Sequence, residues 1–225
     1  MDGSDVAEYN DIYRRAQYYD IAFRRDVAPE VGFLAALFER HAGRAARSIA
    51  DLACGPAYHA RLFARQGMAA VGLDLRPEMI DFARDEARKE GVDGIDWMVG
   101  DIRDFELPYK VDIALTSYDS IDCLSEQDEI IAHFQAVARN LADDGLYVTE
   151  ATHPRDCSLF DYGAFSYGGA RDGVSVEIDW AVNHPVADPI TMVVRPEVVM
   201  RVNDHGQMHE FRDQGNRVNK RVTNS

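Results

Sequence analysis

The sequence has no apolar run approaching the roughly 18 residues that a membrane-spanning helix needs, so no helical span is expected. Cysteine is scarce. Cys54, Cys123 and Cys157 stand far apart and form no C-x-x-C pair, which argues against both a disulfide framework and a zinc knuckle. His205 and His209 are four apart, but no H-E-x-x-H surrounds them, and a hairpin surface is their expected place. The G-x-S-x-G elbow of α/β hydrolases is missing, as is the G-x-G-x-x-G fingerprint of dinucleotide-binding folds. Met1 to Asn10 is acidic and lacks a basic-then-apolar leader pattern, so a cytoplasmic location is the default expectation. Positive charge is outnumbered, with 24 Lys and Arg against 39 Asp and Glu and a net charge of −15. Such a field repels a phosphate backbone, so no nucleic-acid partner is expected. The Arg14, Arg15, Arg24, Arg25 cluster reads as a solvated helix face.

What is present fits one α/β domain with a modest addition: 225 residues, 46% of them hydrophobic. Tyr9, Ile12, Tyr13, Ala16 and then Tyr19 or Phe23 recur at helical spacing, and a second helix is expected from Pro29 to His41, ended by Gly43. A strand–helix alternation follows. Strands are expected at Ser48–Ala53, Ala69–Asp74, Asp96–Val99, Val111–Thr116 and Leu146–Thr152. Helices are expected after Pro56, at Pro77–Glu90 and at Glu126–Leu141. This order predicts a mostly parallel, Rossmann-like sheet with helices on both faces. Pro154–Gly173 reads as loop. From Val174 the period becomes two, through Val176, Ile178 and Trp180, and again through Ile190 to Val202 with a break at Pro196. Asn203–Gly206 reads as a hairpin turn. A small antiparallel β cap is expected, giving a division into residues 1–153 and 154–225.

The chemistry sits at the carboxyl ends of the strands, where open α/β sheets bind nucleosides. Strand one ends in Asp51-Leu-Ala-Cys-Gly-Pro-Ala-Tyr58. Ala53, Gly55 and Ala57 let a ligand approach the backbone, whereas Pro56 removes an N–H that a pyrophosphate would use. A nucleoside without phosphates suits this turn better. Asp74 closes strand two and can accept both ribose hydroxyls or cap the next helix; the spacing from Gly55 favours ribose. Gly100-Asp101-Ile102 closes strand three, and its carboxylate can take the exocyclic amine of adenine.

The ordered blocks Ile49-Ala-Asp-Leu-Ala-Cys-Gly-Pro, Val71-Gly-Leu-Asp-Leu-Arg-Pro-Glu-Met79, Val99-Gly-Asp-Ile-Arg-Asp-Phe105 and Val111–Leu124 resemble the consecutive motifs of class I S-adenosylmethionine-dependent methyltransferases. The resemblance covers about residues 9–155. It implies S-adenosyl-L-methionine as cofactor and methyl transfer to a small-molecule acceptor. Asp51, Ala53, Cys54 and Gly55 would hold the methionyl part, and Asp74 and Leu75 the ribose. Gly100, Asp101 and Ile102 would hold adenine, with Met79 or Ile102 packed on the ring. Thr116 and Tyr118 would face the sulfonium and the acceptor. Tyr18-Tyr-Asp-x-Ala-Phe23 resembles the N-terminal helix that covers the cofactor in small-molecule members, which implicates Tyr19.

An amine acceptor needs little help from a base, but a hydroxyl acceptor needs one. Asp119 and His153 are the candidates. Tyr118, Phe160, Tyr162, Phe165 and Tyr167 are candidate walls of the acceptor pocket. A non-catalytic cofactor-binding subunit and a nicotinamide oxidoreductase are the competing readings. The family fold continues through a further helix and an antiparallel strand pair, so a shortened product with an open sheet edge, prone to homodimerise, is expected. The alternative is that residues 190–212 close the sheet themselves.

Overall fold

The computed structural model describes residues 11–151, 163–186, 188, 193–214 and 218–219. Contacts group the described residues into two compact units, one within residues 25–121 and 127–151, the other within 1–24, 122–126 and 152–225.

The first unit opens with α2 (Ala28–Ala42), which follows α1 (Ala16–Phe23) of the other unit. Pro29 stands in its first turn, and Gly43 closes it at φ +70°, where glycine carries no Cβ penalty. Then come β1 (Ser48–Leu52), α3 (Tyr58–Arg65), β2 (Ala69–Asp74), α4 (Pro77–Lys89), β3 (Ile95–Val99), β4 (Val111–Thr116), α5 (Gln127–Asn140) and β5 (Leu141–Thr149). The strands form one parallel sheet in the order β3-β2-β1-β4-β5. All five residues of β1 and all six of β4 are buried, as central strands covered on both sides must be. Alternation along the strands feeds two cores. Ile49, Ile113 and Leu115 meet Val31, Leu34, Phe38 and Phe63 on one face; Leu52, Leu73 and Ala114 meet Phe105, Ala136 and Val137 on the other.

The strand order reverses between β1 and β4, and doubly wound sheets open their ligand crevice at that point, beyond the carboxyl ends. β5 begins five residues earlier than expected, directly from α5, with an irregular register against Val111 and Ile113. Among the described residues β5 pairs with β4 alone.

The second unit carries an antiparallel sheet of order β10-β9-β7-β6, built from β6 (Phe165–Arg171), β7 (Val174–Trp180), β9 (Glu197–Asp204) and β10 (Gln207–Gln214); β8 (Val193–Val194) and β11 (Val218–Asn219) make a separate pair. Two expectations are corrected. Phe165–Arg171 is a strand rather than loop, because Tyr167 and Gly169 register against Ile178 and Val176 and complete an apolar face despite a composition that reads as irregular. The alternative that residues 190–212 close the parallel sheet is not met in their described part, 193–212, where β9 pairs with β7 and β10. Pro196 falls between β8 and β9, where no ladder donor is required.

Helix α1 lies on the apolar face of this second sheet. Gly169 allows the approach, because a Cβ there would overlap the carbonyl oxygen of Ile21. Asp20, fully buried on α1, is neutralised by Arg24 and by Arg171 of β6, and Tyr18 donates to Asp204 at 2.8 Å.

Candidate functional site

The turn after β1 is built by small residues in a strained backbone. Ala53 (φ 54°), Gly55 (φ 51°) and Ala57 (φ 55°) all take the left-handed region, which costs a non-glycine residue about 1–2 kcal/mol. Nothing lies within 4 Å of where a Gly55 Cβ would stand, so the space above this peptide is open. The turn is tied from below: Cys54 N–H donates to Leu73 O at 2.9 Å, and Gly55 N–H donates to Asp74 Oδ2 at 2.8 Å.

Asp74 therefore has a structural task that neither sequence reading contained. Its second oxygen accepts Arg76 N–H at 2.9 Å, and no side chain caps α4 directly. Burial pushes the Asp74 carboxyl up, and the amides of Arg76 and Gly55 oppose that shift. Asp51, at the base of the same turn, is the more exceptional group. Oδ2 accepts Ala60 N–H at 3.3 Å, while Oδ1 is buried without a partner. Burial pushes its carboxyl up to about 6, against the opposing influence of His59. A buried carboxylate oxygen lacking a donor suits a cationic or N–H-bearing ligand group. Cys54 is no nucleophile, because burial and the charges of Asp51 and Asp74 push its thiol well up.

At β3 the register places Val99 beside Asp74, and Gly100 N–H donates to Asp74 O at 2.9 Å. Val99 is 56% and Leu75 48% exposed, so two apolar side chains stand open at adjacent strand ends. Asp101 binds Arg103, whose guanidinium also reaches Glu129 of α5 at 2.7 Å. Burial works to raise the Asp101 carboxyl, but Arg103 holds it below its ordinary range. Arg103 was not singled out by sequence. Its mate stands two positions away, so the pairing was open to reading. Met79 is fully buried on α4, and Ile102 is partly exposed. An open peptide at Gly55, an unpartnered oxygen at Asp51, a carboxylate at Asp74 and apolar surface at Leu75 and Val99 fit an adenosyl group joined to an amino acid.

The end of β4 is built differently. Thr116 is buried, its Oγ1 3.1 Å from Tyr147 Oη, which lies 2.8 Å from His133 Nε2; His133 Nδ1 lies 2.9 Å from the Ile102 carbonyl. Burial lowers His133, and because a carbonyl oxygen only accepts, its Nδ1–H is the donor to Ile102 O. Beyond Thr116 the chain turns through Tyr118 (φ 59°) and Asp119 (φ 56°), two bulky residues in succession in the left-handed region. Tyr118 N–H donates to Glu150 Oε2 at 2.9 Å, and the Arg25 guanidinium sits 4.8 Å from the Tyr118 ring centroid and 3.8 Å from Glu150. Arg25 also pairs with Glu30, which contacts His59 at 2.6 Å. Glu30, His59 and Glu150 were missed by sequence reasoning, which has no signal for partners so distant in the chain, and Arg25, read there as part of a solvated helix face, instead stands between α1 and α2 and pairs with Glu30 and Glu150.

The structure thus gathers Asp51, Ala53, Cys54, Gly55, Asp74, Leu75, Gly100, Asp101, Ile102, Thr116, Tyr118 and Asp119 within one unit, on β1–β4 and the segments that follow them. Tyr19 belongs to the other unit, where its ring stacks on Phe23 at 4.3 Å. His153, Phe160 and Tyr162 lie outside the described residues. Phe165 and Tyr167 are on β6, ring edge to ring face at 5.7 Å. Among the described residues no group of His, Cys, Asp and Glu is arranged to hold a metal ion.

Residues 49–145 match the family model of a methyltransferase domain. A dTDP-3-amino-3,6-dideoxy-alpha-D-glucopyranose N,N-dimethyltransferase of Streptomyces fradiae is 33% identical over 138 residues, 60% of this chain and 52% of that protein. The chain thus spans about half the length of that curated relative. The crystal structure of Streptomyces venezuelae DesVI is similar with a TM-score of 0.70 and 25% identity, covering 97% of this chain and 84% of that one. The SAM-bound structure of CalS10, an amino pentose methyltransferase of Micromonospora echinaspora, has the same fold at a TM-score of 0.70 and 22% identity, covering 96% of this chain and 84% of that one. Residues 49–145 thus match a methyltransferase domain, and the strand order and the β1 turn with its two acidic neighbours agree with the fold of these similar structures.

Proposed function

We propose that this chain transfers a methyl group from S-adenosylmethionine to the amino nitrogen of a small molecule, and that the acceptor is an amino sugar of the nucleotide-linked type. The observation that carries the cofactor half is the clustering of the Gly55 peptide, Asp51 and Asp74 at the strand-order reversal. The acceptor half is supported by the S. fradiae relative, named for N,N-dimethylation of such a sugar. The net charge of −15 agrees with a small acceptor rather than a polyanionic polymer.

When bound, the cofactor supplies a methyl carbon already activated by a positive sulfur. The residues of the chain hold and align. Asp74 accepts from the ribose hydroxyls while keeping Gly55 in place, Asp101 receives the adenine amine, and Leu75, Val99 and Ile102 cover the ring. Asp51 faces the ammonium end. Displacement at carbon needs the amine lone pair in line with the methyl, so positioning and exclusion of water are the main contributions asked of the protein. Asp119, beside the end of β4, takes the proton that the amine loses.

Calorimetry with S-adenosylhomocysteine and with NAD, followed by labelled methyl transfer to a panel of amino sugars and their hydroxyl analogues, tests this reading. Binding of the former alone, with label on nitrogen, is expected. NAD binding without S-adenosylhomocysteine binding overturns the cofactor half. Label confined to hydroxyl acceptors overturns the amine.

A further inference from the structure

The Tyr118–Asp119 elbow has no reason in the local sequence to be where it is. Neither residue is glycine, and both hold positive φ. Strain of this kind persists only where surrounding groups over-determine it. Here the groups can be named. Glu150, the residue after β5, receives the Tyr118 N–H, and its own N–H donates to Thr116 O at 2.9 Å, so it grips both sides of the bend. Arg25, ahead of α2, covers the Tyr118 ring and approaches the same carboxylate. Arg25 is itself fixed by Glu30 of α2, and Glu30 reaches His59 at the start of α3. His59 in turn acts on Asp51. A line of ion pairs and polar contacts therefore runs from the start of α3 to the β4 elbow: His59, Glu30, Arg25, Glu150.

From this geometry we propose that Glu150 and Arg25 are positioning residues for methyl transfer, holding the Tyr118–Asp119 elbow in its left-handed form and so setting where Asp119 stands. The inference rests on the methyltransferase reading of the site. It assigns Glu150 no contact with the acceptor, since its oxygen is already engaged by Tyr118 N–H and Arg25.

Glu150 is suited to the test because its side chain is 56% exposed and Arg25 keeps Glu30 as a partner when Glu150 is removed. Glu150→Ala should therefore fold. Glu150→Gln keeps an oxygen that accepts from Tyr118 N–H. Two readouts are needed: hydrogen exchange at the Tyr118 amide, and steady-state kinetics beside calorimetric affinity for S-adenosylhomocysteine. In Glu150→Ala the Tyr118 amide should exchange at least about tenfold faster. Its kcat should fall by roughly tenfold to a hundredfold while S-adenosylhomocysteine affinity stays within about threefold. Glu150→Gln should recover most of the protection and most of kcat. Unchanged exchange and kcat in folded Glu150→Ala overturn the inference, and so does Glu150→Gln behaving like Glu150→Ala. A wild-type chain that binds no S-adenosylhomocysteine overturns the methyltransferase reading instead, and the exchange result still decides whether Glu150 holds the elbow.

Discussion

Two bends of this molecule adopt the same unfavourable backbone region and are stabilised in opposite ways. The turn after β1 uses alanine and glycine, sits on the core, and is tied by backbone amides to the neighbouring strand and to buried Asp74. The elbow after β4 uses tyrosine and aspartate and is held by Glu150 and Arg25, which are 32 and 93 positions from Tyr118. The first is fixed by what is small and near; the second by charges that arrive from other elements. Under the proposed function, the first bend would hold the cofactor and the second would serve the half of the site that meets the acceptor.

Breaking the first bend should give the largest effect. Asp74→Ala removes the acceptor of Gly55 N–H and Arg76 N–H together with the proposed ribose contact. Each hydrogen bond to a charged group is worth about 1.5–3 kcal/mol. The affinity for S-adenosylhomocysteine should fall by well over about tenfold, and the melting temperature should drop as well. Asp74→Asn separates the two tasks, since an amide oxygen still serves one amide donor. It should restore most of the melt and little of the affinity. Calorimetry and thermal melts of the two variants decide; full affinity in folded Asp74→Ala would return Asp74 to a purely structural role.

A smaller effect, and one that depends on pH, is expected at Asp51. Its carboxyl is raised by burial from an ordinary 3.8 to about 6. A raised acid contributes stability that is fully present below its unfolded value and lost as pH rises through its folded one. Between about pH 4 and 6.5 the wild-type chain should therefore lose up to roughly 3 kcal/mol that Asp51→Asn does not lose, making the variant the more stable at neutral pH. A ligand ammonium against Oδ1 reverses that preference. Wild-type affinity for S-adenosylhomocysteine should accordingly rise between about pH 5 and 7, and Asp51→Asn should show a flat and weaker profile. Parallel pH profiles for wild type and variant would remove Asp51 from the ligand site.

The contrast between the bends also explains which parts were legible in the sequence. Strand positions, the parallel sheet and the β1 turn follow from local pattern: the apolar runs of β1 and β4, the small residues at 53, 55 and 57, and acids at strand ends. β6 was hidden because Gly168, Gly169 and the flanking aromatics look like loop; only the register with β7 shows that they form an edge strand. The second task of Asp74 was hidden because a backbone amide carries no mark in a sequence. Glu150 was invisible, and Arg25 was read as part of a solvated helix face, for the same reason that most ion pairs are hidden. Charged residues are numerous on any surface, and nothing local says which pairs meet. His133, inside the expected helix, was not singled out, yet it is fully buried.

The smallest effect lies in the two alanines of the β1 turn. A glycine substitution releases about 1–2 kcal/mol of left-handed strain. It also frees the unfolded chain, which takes back about 0.4–1 kcal/mol. At Ala53, partly exposed, little else changes, and the balance is a small gain. At Ala57 the methyl group is fully buried, and losing it costs a further ~0.8 kcal/mol. Ala53→Gly should therefore melt about 1–3 °C above wild type, whereas Ala57→Gly should melt level with it or slightly below. Both should keep S-adenosylhomocysteine affinity, because each alanine already holds the backbone angle that glycine would adopt. Differential scanning calorimetry reads the order directly. If Ala57→Gly melts above Ala53→Gly, burial is not what separates them, and the picture of a turn fixed by its fit to the core loses its support.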